Sequence, residues 1–359
     1  MDWLLPEGID TPALVVYYDT LIANISSMAS RIAARGVALR PHAKTHKCPQ
    51  IAELQVGHGA VGLTVASLGE ADVFSAHGFE DIFIAYPIFA SPQKAPRLRA
   101  LAERVRLKIG VDSVQSASVL AKAIRPETVS VMIEIDSGQH RTGVLPDAAA
   151  DLAVHCRSLG LKVGGVFTHG GHSYAPGAAE SVAAQESQAL GVAAEHLAEA
   201  GFDDLTVSAG STPTAVGSAT GAVTEERPGT YVFNDNQQLT LGTAGPQDIA
   251  AAIVATVVST SVPGQAVIDA GSKSLASDRP SWLTSHGIVP DLGNAPVVAL
   301  SECHGLVRLG DQPPPAVGSL VRVVPNHICT AVNLFDSFEV ISGGRDVDHW
   351  TIPARGHLN

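Results

Sequence analysis

The strongest constraint in this chain is a rhythm of short apolar runs. β-Branched segments recur at 37–43, 61–66, 82–86, 105–111, 129–135, 163–168, 205–208 and 230–233, with helical patterns between most of them. Runs this short, bounded by turn residues, read as buried strands, because a helix needs about ten residues or more. The clearest helix, 178–200, comes after Pro176 and stops at Gly201. Eight buried strands alternating with helices over roughly 200 residues predict an α/β fold of the (β/α)8, TIM-like barrel type. An open doubly wound sheet, the competing architecture, usually carries a glycine-rich nucleotide loop after its first strand. Here the first run leads instead into Pro41, His42, Ala43 and Lys44.

The flanks differ from the barrel. Residues 13–18 read as a strand, and 20–35 as a helix with Leu21, Ile25, Met28 and Ile32 on one face and Gly36 ending it. After Leu241, strand-like runs at 249–258, 266–270, 297–300, 319–324 and 337–341 are separated by Pro and Gly clusters. The expected organisation is a barrel over 21–240 and an all-β domain over 241–359, joined by strand residues 1–20.

Composition narrows the partners. With 359 residues, 45% of them apolar, the chain can bury one large core and a smaller one. A formal charge of −12 repels nucleic acid and anionic membranes, so an anionic ligand must be captured by a local cluster of donors. The densest basic stretch is Arg40 to Lys47. The four cysteines show no zinc-knuckle spacing, which suits a reducing, cytoplasmic setting. Met1 to Asp10 lacks the basic start and apolar run of an export signal. The apolar stretch 249–262 is too short to span a membrane and reads as a buried strand.

Barrel chemistry sits at the C-terminal ends of the strands. Lys44 falls at such an end, among cations that disfavour its protonated form and suit it to act as an amine nucleophile toward an aldehyde cofactor. A basic loop that merely solvates the rim is the plainer alternative. After the seventh run come Gly210, Ser211, Thr212, Pro213 and Thr214, and the eighth opens with Pro228, Gly229 and Thr230; glycines and hydroxyls here can cradle a phosphate or simply make tight turns. After the fifth run, Arg141 in the 136–143 stretch can bond a cofactor phenolate if buried, or pair with Asp136 at the rim. After the sixth, His169, His172 and Tyr174 place two imidazoles and a phenol at the mouth as candidates for proton transfer.

The β-domain holds a second candidate. If the strand 320–324 continues, His327 and Cys329 project on one face, where imidazole and thiolate together suit Zn²⁺ or a similar ion with open positions. A core cysteine beside a hydrogen-bonded histidine is the alternative. Cys303 and His304 supply further possible groups, and Lys273 is the rival imine lysine.

These motifs, in this order, resemble those of the fold-type III pyridoxal enzymes, and within them the D-threonine aldolase and D-serine dehydratase group. The resemblance rests on RPHAKTHK at Arg40 to Lys47, supported by Thr11 and Pro12, DSGQHRTG at Asp136 to Gly143, GSTPT at Gly210 to Thr214, DAGSK at Asp269 to Lys273 and PNHIC at Pro325 to Cys329. It implies an alanine-racemase-like barrel joined to a β-domain. Lys44 would carry pyridoxal 5'-phosphate as a Schiff base, and Arg141 would bond its phenolic oxygen. Gly210, Ser211, Thr212, Gly229 and Thr230 would hold its phosphate, with Tyr174 also at the cofactor. His327 and Cys329 would bind Zn or Mn, and the enzyme would be a homodimer whose barrel mouth faces the partner's β-domain. Two positions depart from the group's pattern: Cys303 stands where a glutamate usually precedes the histidine matching His304, and Cys329 looks like the dehydratases, whereas His and Asp pairs look like the aldolases.

The expected activity is that of a lyase on small D-3-hydroxy amino acids, of D-threonine aldolase type, with D-serine or D-threonine dehydration as the alternative and racemisation as a more remote one. In the aldolase reading His169 or His172 takes the hydroxyl proton; in the dehydratase reading Lys44 takes the α-proton. A cofactor carrier, the non-enzyme alternative, would have no use for a metal pair.

Overall fold

The computed structural model describes residues 8–359; Met1 to Glu7, which belong to the stretches read as signal-free and as strand, lie outside the described residues. The chain divides into two compact units. One comprises 27–44, 51–229 and 356–359; the other comprises residues up to 26, 45–50 and 230–355.

The first unit is the parallel barrel. Its strands are Ala38–Leu39, Leu63–Val65, Asp81–Pro87, Arg106–Val111, Val129–Glu134, Lys162–Phe167, Thr206–Ala209 and Glu225–Glu226. Each of the second to seventh pairs with its sequence neighbour, and the eighth lies beside the first with Ala38 opposite Glu225. At the other edge His42 bridges Thr64, and the Thr64 and Ala43 amides bond the Pro41 and Thr64 carbonyls at 2.9 and 2.8 Å, which brings the first strand against the second and curls the sheet round. Phe83, Met132 and Phe167 pack in its interior, with the two phenyl rings edge to face at 5.1 Å. The helix Ala179–Glu199 buries Val182, Ala183, Leu190, Ala193 and Leu197 on one stripe, as its periodicity requires.

The eighth strand corrects the sequence reading. The run 230–233 is not a strand: Thr230–Val232 form a 3₁₀ turn, and the Asn234 amide returns to the Thr230 carbonyl at 2.7 Å. The strand is the charged pair Glu225–Glu226, buried because Arg40 Nε and Ser208 Oγ bond Glu225 at 2.7 and 2.6 Å and Ser218 Oγ bonds Glu226 at 2.8 Å. Pro228 and Gly229 therefore come after the eighth strand instead of opening it.

The second unit is antiparallel. Gln265–Ile268, Gly305–Arg308, Ala295–Leu300, Gly287–Val289, Leu320–Pro325 and Ala251–Ser259 pair in that order, and the last also pairs with the first to close a six-stranded barrel. Ala13–Tyr17, Ser337–Ser342 and Arg345–Thr351 extend the sheet from Ala251–Ser259, with Ala13–Tyr17 and Ser337–Ser342 running parallel. The stretch weighed as a membrane span is this buried strand, and among the described residues no helix is long and apolar enough to cross a membrane.

Candidate active site

In the parallel barrel, Lys44 lies half-buried in the turn just past the His42–Thr64 bridge. The lysine thus occupies a strand's C-terminal end, where the (β/α)8 architecture gathers its reacting groups. The rival, Lys273, is an exposed side chain of the other unit, ion-paired to Glu302 at 2.6 Å.

His169 lies just past the end of the sixth strand. Burial, together with the positive charges of Lys44, Arg141 and Arg227, holds its imidazole well below the usual range against a hydrogen bond with the Gly210 backbone. These influences favour the neutral ring. Acids stand among these cations: Glu225, Glu226, Glu186 and Glu134 act on Arg227, and Glu134 lies 3.8 Å from Arg141. His172, in the 3₁₀ turn Gly171–Ser173, sits with its Nε2 2.8 Å from Gln185 Oε1. Since an amide oxygen only accepts, Nε2 carries the hydrogen, and Nδ1 is left as a buried acceptor with no partner among the described residues.

The hydroxyls of the sixth and seventh loops interlock. Ser173 Oγ lies 2.9 Å from Ser211 Oγ, which lies 3.0 Å from Thr214 Oγ1. Gly210 has φ +105°, and a Cβ there would meet Glu226 Oε2 at 2.0 Å, so glycine is required. Its amide points to Glu186 Oε1 at 3.3 Å and the Ser211 amide to Thr214 Oγ1 at 3.0 Å. The amides of Gly210 and Ser211 are thus already taken within the barrel, and so is the Ser211 hydroxyl.

Arg141 is not buried, as its phenolate role would want. Its side chain is half exposed, 3.8 Å from Glu134, while Asp136 is saturated by the Gly138 and His140 amides and the His140 ring. Tyr174 is half-buried at the end of its turn, and Gly229 is buried after the eighth strand. The arginine that the sequence reading missed is Arg227. Its guanidinium is enclosed, bonded to Ser208 Oγ and the Thr168 carbonyl, and lies over the Phe167 and Phe83 rings at 5.4 and 5.7 Å. Burial lowers its pKa, and Glu225, Glu226, Glu186 and Glu134 act against that.

In the antiparallel unit the strand before the metal pair ends at Pro325, so His327 and Cys329 do not alternate along a strand as expected. Asn326 turns the chain by donating to the Ser285 and Asp278 carbonyls at 2.6 and 3.0 Å, and His327 stands at the N-cap position of the short helix Ile328–Val332 without a side-chain capping bond. The turn still joins the two side chains: His327 hydrogen-bonds Cys329 and Asp278, with its Nδ1 3.4 Å from Asp278 Oδ2. Burial disfavours the imidazolium, but the negative groups at Cys329, Asp278 and Asp235 outweigh it and raise His327 well above its ordinary value. Cys329 Sγ lies 3.2 Å from Thr45 Oγ1 and 3.7 Å from Thr230 Oγ1. Among the described residues no group of three or more His, Cys, Asp or Glu side chains could hold a metal. One imidazole and one sulfur, already in contact, fit a divalent ion whose other positions stay open. Cys303 is exposed, and none of the four cysteines forms a disulfide.

Comparison with known proteins agrees with this architecture. The model of the alanine racemase N-terminal domain matches residues 16–237, and a serine dehydratase domain matches 250–341. The chain is 35% identical to D-threo-3-hydroxyaspartate dehydratase of Delftia sp. (strain HT23), over 95% of this chain and 97% of that protein. It is 33% identical to D-threonine aldolase of Arthrobacter sp., over 97% and 93%. The solved structure of the Delftia dehydratase superposes with a TM-score of 0.88 at 34% identity, covering 96% of this chain and 97% of that one. That dehydratase has also been solved as a histidine-to-alanine variant and as a cysteine-to-alanine variant in the metal-free form, the two replaced positions being two residues apart. A match across the barrel, together with relatives above 30% identity along nearly the whole length, settles the family: the chain belongs to the alanine-racemase-like pyridoxal phosphate enzymes, in the group of D-amino acid dehydratases and aldolases, and is a lyase.

Proposed function

We propose that this lyase is a pyridoxal-phosphate- and divalent-metal-dependent dehydratase of D-3-hydroxy amino acids, releasing a 2-oxo acid and ammonia. The observation that carries the reading is the joined pair of His327 and Cys329, an imidazole and a sulfur two residues apart, the same spacing as the histidine and cysteine replaced in the variants of the Delftia dehydratase. The barrel residues support the cofactor. Lys44 is the amine that would hold it, and Ser211, Thr212, Gly229 and Thr230 would receive its phosphate. Arg141 and Tyr174 remain candidates for the ring substituents, Arg141 as an exposed group.

Pyridoxal phosphate, when bound, supplies an electron-withdrawing ring that acidifies the α-hydrogen of an attached amino acid. A divalent ion on His327 and Cys329 supplies Lewis acidity for a departing β-hydroxyl. Lys44 is the base for the α-hydrogen, since its amine stands at the strand end among the reacting groups. In the second reading His169 or His172 would take the hydroxyl proton. That reading, aldol cleavage to glycine and an aldehyde, is favoured by the 33% identity to the Arthrobacter aldolase.

Metal removal tests the reading. Dialysis against a chelator is expected to lower turnover about 100-fold, with Zn²⁺ or Mn²⁺ restoring it, and Cys329→Ala is expected to lose the same activity without regaining it at equal metal. Unchanged turnover after complete metal removal, verified by elemental analysis, would contradict the metal's part in the reaction.

A further inference from the structure

The barrel contains a buried carboxyl pair that the reaction does not consume. Glu186 comes from the helix Ala179–Glu199 and Glu226 from the eighth strand; both are 0% exposed. Glu186 Oε1 accepts from two backbone amides, Gly170 at 2.7 Å and Gly210 at 3.3 Å, which belong to the loops after the sixth and seventh strands. Glu226 Oε1 accepts from Ser218 Oγ at 2.8 Å, and Glu226 Oε2 packs against Gly210, where an added Cβ would meet it at 2.0 Å. Neither Oε2 has a hydrogen-bond partner among the described residues.

A single acceptor oxygen serving two loops is a cross-link. Removing it would leave two buried amides unpaired, a loss that neither loop could make good from water. The approach is close enough to dictate sequence, since a Cβ at Gly170 would meet Glu186 Cδ at 2.6 Å. Gly170 is next to His169, Gly210 precedes Ser211, and the same two loops touch again through Ser173 and Ser211. A carboxyl that pins both loops near their starts, at Gly170 and Gly210, therefore fixes where the histidines and the hydroxyls stand. Burial raises the pKa of Glu186, and burial together with Glu186 raises that of Glu226, so two facing carboxylates are avoided.

We propose that Glu186, backed by Glu226, is a positioning residue that ties the His169–His172 loop to the Ser211–Thr214 loop and so shapes the phosphate cradle of the barrel mouth. The cradle part rests on the cofactor reading above; the tie itself does not.

The test uses the full chain with Glu186→Leu, which fills the volume without an acceptor, and Glu186→Gln, which keeps one. Backbone hydrogen exchange at Gly170 and Gly210 reports the tie whatever the ligand. Glu186→Leu is expected to exchange at least tenfold faster at both amides, and Glu186→Gln to stay within threefold of the parent. Titrations with pyridoxal phosphate and with pyridoxal report the cradle: Glu186→Leu is expected to weaken the phosphorylated form about tenfold and the unphosphorylated form less than threefold. Unchanged exchange in Glu186→Leu would overturn the tie, and equal weakening of the two forms would reduce Glu186 to a general structural role. If Glu186→Leu does not fold, Glu186→Gln decides: more than tenfold faster exchange at either amide, with the melting temperature unchanged, would overturn the proposal. A parent that binds neither form would instead sink the cofactor reading and leave the exchange result standing.

Discussion

Lys44→Ala is expected to abolish covalent capture of pyridoxal phosphate and to lower turnover roughly a thousandfold or more, the scale seen when a group that acts directly on the reacting atoms is removed. The expectation comes from position. Lys44 is the lysine in the turn after the first barrel strand, half-buried beside His169, and its charge is one of three that favour the neutral form of that imidazole. Loss of the amine removes the attachment point and, in the proposed reading, the base. Lys273→Ala serves as the contrast, because Lys273 is exposed and paired to Glu302 in the other unit. Borohydride reduction and subsequent peptide mapping read the result: an adduct on the 40–47 peptide of the parent, none in Lys44→Ala, and an unchanged adduct in Lys273→Ala. An adduct that survives in Lys44→Ala would remove the lysine from its role.

Arg227→Met is expected to cost about 3–5 kcal/mol of stability, the range for stripping one partner from a buried charge cluster. Four acidic side chains, Glu225, Glu226, Glu186 and Glu134, act on this guanidinium, and Ser208 and the Thr168 carbonyl take its hydrogens. Methionine preserves contact with the Phe167 and Phe83 rings but takes this cation from Glu186 and Glu226 and the donor from the carbonyl, while Glu225 keeps Arg40 and Glu134 keeps Arg141. A denaturant midpoint falling with an unchanged m-value would report this loss. A change below about 1 kcal/mol would mean that the acids are already neutral and the cluster carries little energy.

Much of this is legible in the sequence because it obeys simple periodicities. Seven barrel strands show themselves as β-branched runs, and Lys44 stands out because it lies at the C-terminal end of the first. The eighth is hidden because Glu225 and Glu226 look like a solvated turn, and only Arg40, Ser208 and Ser218, distant in sequence, make them a strand. The apolar run at 230–233 competes for the assignment and is buried as a turn, with Phe233 against Phe338 at 5.5 Å. In the second unit Gly287–Val289 and Gly305–Arg308 escape notice because three- and four-residue strands carry almost no alternation. Alternation along a strand is the wrong reason for pairing His327 with Cys329: a turn made by Asn326 joins them, not a pleat. Arg227 gives no local signal. Glu186 does, since it interrupts the helix stripe of Val182, Leu190, Ala193 and Leu197 at helical spacing, and a carboxylate in an apolar stripe asks for a buried partner.

The most direct test of the account is the product mixture. Purified protein incubated with pyridoxal phosphate, Mn²⁺ or Zn²⁺, and D-threonine or D-serine is predicted to release ammonia and the corresponding 2-oxo acid, with the L-enantiomers inert. Acetaldehyde and glycine from D-threonine would move the chain to the aldolases, and the absence of every one of these products under all combinations would contradict the lyase account itself.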